Sequence, residues 1–203
     1  MSIREGSGQV RSLTRLAASV REACATLAAF VAARRSERKA LAAELRRILG
    51  EADSESRLLL SAVGRSFVTP IDRVVLADLA TKLPDIVERL SGVADLAHGH
   101  RLGDLPPDVI GSVAFLERGA ELIDHGVHQF GRPDRLLETQ HELRRLMREV
   151  RRNLRHGITE STASTPDSRS AMRDRDVLIQ LVRAVEAFDA VTDLLRTVAI
   201  QES

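Results

Sequence analysis

The stretch from Thr69 to Ala97, TPIDRVVLADLATKLPDIVERLSGVADLA, decides the fold. Within it Leu76, Leu79, Leu83, Ile86, Leu90, Val93 and Ala97 recur at alternating spacings of three and four, the period of a helix that lays one apolar seam lengthwise against its neighbours. The start of the run predicts its own cap. Thr69 offers a hydroxyl to an orphan amide, Pro70 suits the first helical position because it has no amide to leave unpaired, and Asp72 stands where a capping box reaches back. Pro84 falls inside the run, removes the hydrogen bond to the Ala80 carbonyl and predicts a kink.

The same period extends outward in both directions. Upstream, Leu13, Leu16, Val20, Ala23, Leu27 and Phe30 form a seam ending near Arg34 and Arg35, and a second helix is read from about Glu37 to Arg65. The seam of that second helix, Leu41, Leu45, Ile48, Ala52 and Leu59, is interrupted by Glu55. Downstream, Val109, Val113, Leu116, Ala120, Ile123, Val127 and Phe130 give a fourth helix closed by Gly131 and Pro133. Leu136, Leu143, Met147, Val150 and Leu154 give a fifth, ended by Gly157, and Leu178, Leu181, Val185, Phe188, Thr192, Leu195 and Ala199 a sixth. Sustained strand alternation is absent. The expectation is therefore an all-α protein of six long helices in an antiparallel bundle. Residues 1–9 read as a flexible tail and 10–203 as one helical domain. The connection from Ala97 to Asp108, with its Pro106-Pro107 pair, divides it into halves of about 10–98 and 106–203, and residues 159–170 read as a flexible loop.

Composition bounds the function. The chain has 203 residues, 43% of them apolar, enough for a sizeable core. Thirty basic residues against 29 acidic ones leave a formal charge of +1, so no global field steers it to nucleic acid. Trp and Tyr are absent and Phe numbers five, which removes the aromatic platforms used to stack bases. The longest nearly apolar stretch, Cys24 to Ala33, is far short of the roughly 20 residues that span a bilayer. The single Cys24 has no disulfide partner within the chain, which suits the cytoplasm.

Candidate chemistry lies mainly in the last two helices. Asp189 and Asp193 sit one turn apart, where like charges repel and call for a counterion, either an arginine or a metal. The fifth helix carries Arg144, Arg148, Arg151 and Arg155 on one face, with Arg145 and Arg152 beside it, a stripe able to receive phosphate or an acidic partner surface. A solvated or internally paired face is the plainer reading of the same residues. His98 with His100, and His125 with His128, have ligand-like spacings but no cysteine or carboxylate signature around them. His141, followed by Glu142, Leu143, Arg144 and Arg145, resembles an exposed phosphotransfer histidine, although Arg145 stands where a small residue would admit a partner. No phosphate loop, nucleophile triad or helix-borne zinc motif occurs, so no catalytic residue is expected.

One string goes further than capping requires. Ser66-Phe67-Val68-Thr69-Pro70-Ile71-Asp72-Arg73, preceded by Glu51-Ala52-Asp53, resembles the PhoU-like accessory proteins, which often work beside Pit-type phosphate permeases. A weaker similarity runs through Glu186 to Ala199. The resemblance implies two pseudo-repeated three-helix halves. It also implies a non-enzymatic regulatory role at the cytoplasmic membrane face, with a phosphate permease or other membrane transport protein as partner and peripheral membrane association; self-association is an alternative the sequence leaves open. It further implies metal clusters held by acidic pairs at i, i+4. This chain keeps that ladder poorly: Leu49 stands one turn before Asp53, Pro84 one turn before Glu88, and only Asp189 with Asp193 forms a clean pair. A multinuclear iron or zinc cluster is not expected, which leaves a single divalent, iron or zinc ion at Asp189 and Asp193 as the metal reading.

Overall fold

The computed structural model describes the backbone of residues 2–66, 69–164 and 169–203, and the side chains of 8–66, 69–161 and 169–203. These residues form six α-helices and no strand: α1 Ser2–Ala32, α2 Arg38–Arg65, α3 Arg73–Gly99, α4 Pro107–Val127, α5 Pro133–Ser164 and α6 Arg169–Gln201. Helices α1, α2 and α3 pack on one another as one half, and α4, α5 and α6 as the other. The halves meet along α1 against α4 and α3 against α6, so α2 and α5 are each left on the outside, touching only their own half.

The predicted seams are the core. Every residue named for the α6 seam is buried, as are Leu76, Leu79, Leu83, Ile86, Leu90, Val93 and Ala97 of α3. Fully burying side chains of this size contributes roughly 1.5–3 kcal/mol each, and that sum holds the helices together more than propensity does. Cys24 lies in the same core on α1, fully buried, its thiol pushed well above the ordinary range by burial and by the nearby Glu117 carboxylate of α4.

Four local expectations are corrected. Helix α3 begins at Arg73, not beside Thr69. Its N-cap is Asp72, whose Oδ1 accepts from the amides of Val74 at 2.8 Å and Val75 at 3.1 Å, so Thr69 and Pro70 precede the helix and do not open it. An aspartate with extended backbone two residues before an apolar run caps as well as a threonine does, and the nearer one is used here. The Arg73 guanidinium also donates to the Ser66 carbonyl, so the first and last residues of the quoted string close on each other; Phe67 and Val68 lie outside the described residues. Residues 2–9 belong to α1 and the Gln9 side chain is buried, where a flexible tail had been expected. Gly157 does not end α5. A Cβ there would meet Asp108 at 2.8–2.9 Å, so the residue is glycine because α4 starts against it. The helix runs on to Ser164, and α6 begins at Arg169; the expected loop at 159–170 is therefore helical at both ends, and 165–168 lie outside the described residues.

Two polar ties set the corners. Arg38, buried at the start of α2, donates to the carbonyls of Ala33, Leu102 and Gly103 and lies 5.5 Å from the centre of the Phe30 ring, binding the α1–α2 turn to the α3–α4 connection. At the opposite corner Gly131 adopts φ +82°, a value that favours glycine, and its amide donates to Glu202 at 2.9 Å.

Candidate functional site

The acidic pair of α6 is the natural starting point. Helices α5 and α6 run antiparallel, so Arg144 faces Asp193 and Arg151 faces Asp189, and each guanidinium donates to its carboxylate. The counterion that the like-charged pair requires is arginine. Asp189 is about half-buried, and burial pushes its carboxyl up from the ordinary range while the Arg151 charge pulls it back.

This pairing divides the arginine stripe. Arg144 and Arg151 point toward α6, whereas Arg148 and Arg155 are exposed, as are Arg145 and Arg152. Around the α5 axis, residues 145, 148, 152 and 155 share one outward face by the helical period. The stripe of Arg144, Arg148, Arg151 and Arg155 is thus split between a side engaged with α6 and a side left exposed, a division that charge spacing alone does not show. His141 is exposed near the same outward line, one turn before Arg145.

The remaining ladder positions fall on the other half. Asp53 is half-buried on α2 and Glu88 is exposed on α3. Among the described residues no group of three or more His, Cys, Asp or Glu side chains is placed to hold a metal ion. With Asp189 and Asp193 each engaged by a guanidinium, the donors present do not fit an iron or zinc cluster. Thr69, Pro70 and Asp72 serve the α2–α3 connection, Asp72 as the cap.

A groove of about 630 Å³ between α1, α4 and α5 was not foreseen from sequence. Arg21 and Arg118 line it with Glu121, Asp124, Glu138 and Glu142, and His125 and His128 sit at its edge. Arg21 donates to Asp124 at 2.7 Å across the junction of the halves, and Arg118 reaches Glu121 at 2.8 Å and Glu142 at 3.1 Å. Both arginines are engaged by carboxylates, and with four carboxylates against two guanidinium groups the groove is an ion-pair network that keeps an acidic balance. The histidines have local partners: His128 Nδ1 lies 2.7 Å from the Asp124 carbonyl and His125 Nε2 lies 3.2 Å from the Gln129 amide. His100 approaches Asp176 of α6 at 3.3 Å. No signal in the sequence links Arg21 to Asp124, which lie 103 residues apart.

No helix among the described residues is long and apolar enough to cross a membrane. No known family profile matches the sequence, and no curated protein does. Solved structures do match. A PhoU-like protein from Shewanella oneidensis MR-1 is similar over 95% of this chain and 99% of its own, with a TM-score of 0.72 at 14% identity. A second from the same organism, described as a candidate PhoU-like phosphate regulatory protein, is similar over 95% and 96%, with a TM-score of 0.68 at 15% identity. The fold is PhoU-like, six helices in two halves.

Proposed function

We propose that the chain is a non-catalytic regulator of phosphate transport that binds a Pit-type permease or a related membrane transport protein at the cytoplasmic face. The observation that carries this reading is the end-to-end likeness to PhoU-like structures, over at least 95% of both chains. In keeping with a non-catalytic role, the charged side chains along the α5–α6 line and in the α1–α4–α5 groove are engaged in ion pairs with one another. The Ser66 to Arg73 string supports the reading from the side of sequence.

The test is genetic and physiological. Deleting the gene alters phosphate uptake, or its repression when phosphate is plentiful, and restoring the wild-type gene reverses the change. Uptake and repression that stay at wild-type levels in the deletion strain, with the permease intact, overturn the role.

A further inference from the structure

Helix α5 is an outer helix, packed only on α4 and α6. Its outward face carries Arg145, Arg148, Arg152 and Arg155, all exposed, over about 15 Å of helix at 1.5 Å per residue. Arg152 approaches Glu149 at 3.9 Å, a distance that leaves its charge largely available. Among the described residues Arg145, Arg148 and Arg155 have no acidic partner. Several arginines on other helices are engaged by carboxylates: Arg47 by Glu22, Glu44 and Glu51, Arg46 by Asp95, and Arg118 by Glu121 and Glu142. A run of like charges left open on a helix costs self-repulsion, which an acidic surface laid along it removes.

The surroundings decide what kind of surface. On the α4 side the stripe is bordered by Glu138, Glu142 and Glu149, and on the α6 side by Arg144 and Arg151 already neutralised by Asp193 and Asp189. A flat anionic bilayer would press against those border carboxylates as well as the arginines. No exposed large apolar side chain lies on the described part of α5 to enter a membrane. A strip one helix-face wide, with carboxylates along one edge, suits a narrow acidic ligand that offers bidentate carboxylates to guanidinium forks.

We propose that the outward α5 face formed by Arg145, Arg148, Arg152 and Arg155 is the docking surface for an acidic, helical segment of a partner protein. This contact presupposes the regulatory role proposed above. It is read by binding in vitro, so it can fail while phosphate uptake still depends on the chain, and the reverse.

The probe is a helical peptide bearing glutamates at i, i+3, i+7 and i+10, titrated by fluorescence anisotropy against the full chain. The variant Arg145→Gln, Arg148→Gln, Arg152→Gln, Arg155→Gln loses binding by at least about tenfold, and raising the salt from about 50 mM to about 500 mM does the same to wild type. A control with the same net charge, carrying Arg11→Gln, Arg34→Gln, Arg35→Gln and Arg57→Gln at exposed sites on α1, α2 and the turn between them, keeps affinity within about twofold. Equal losses in both variants, or no binding to the peptide at low salt, overturn the proposal. So does tighter, stripe-dependent binding to phosphatidylglycerol vesicles than to the peptide, which assigns the face to lipid. Circular dichroism verifies that both variants keep the wild-type helix content.

Discussion

A proline within a helix leaves one carbonyl without its usual donor, and at Pro84 that carbonyl belongs to Ala80. The sequence predicts the gap but not the remedy. Ser56 on α2, buried in a seam that is otherwise apolar, donates its hydroxyl to the Ala80 oxygen at 2.7 Å. The interruption noticed at Glu55 is thus the edge of a designed polar contact: Glu55 turns aside to Arg15 at 3.4 Å, and Ser56 takes the core position. Ser56→Ala strands a buried acceptor and costs about 1–3 kcal/mol. In a Pro84→Ala background the helix amide at position 84 returns, and the cost of Ser56→Ala falls to less than half. Urea denaturation of the four proteins of this cycle measures the coupling, and additive losses would refute the pairing.

Helices are where charge and seam meet, and α5 with α6 is the clearest case. Asp189 is held above the ordinary carboxyl range by burial even with Arg151 beside it, so the folded state binds its proton more tightly than the unfolded state does. Stability from this group is therefore highest below the unfolded value of about 3.9 and declines as pH rises through the raised folded value. Arg151→Gln removes the opposing charge and pushes that value higher still. The variant's loss is small near pH 4 and grows to about 1–2 kcal/mol at pH 7. Urea midpoints at the two pH values check this, and a loss independent of pH would show that the pair contributes only packing. Helix number and the buried residues of each seam were legible because apolar spacing is local. The assignment of Asp189 to Arg151 was not, since it depends on the antiparallel register of two helices whose partners lie 38 residues apart. Helix ends were legible only in part: Asp72 and Thr69 are both good caps, and Gly157 looks like a terminator until Asp108 is seen against it.

At the scale of the whole molecule, two three-helix halves share one core along the α1–α4 and α3–α6 lines. The sequence revealed the division through the proline pair at 106–107, but not the seam, because no local pattern says which helix of one half meets which of the other. Arg21 with Asp124 ties that seam at the surface, and Cys24 lies one turn further along α1, inside, next to Glu117 of the opposite half. The chain thereby carries its own gauge of opening. A thiolate-seeking reagent such as dithionitrobenzoate reaches Cys24 only when α1 and α4 part, so the labelling rate under native conditions times that event without any engineered probe. It should lie orders of magnitude below the rate in urea, and Arg21→Gln should quicken it several-fold. Modification of the native chain as fast as of the unfolded one would mean that the two halves breathe apart freely.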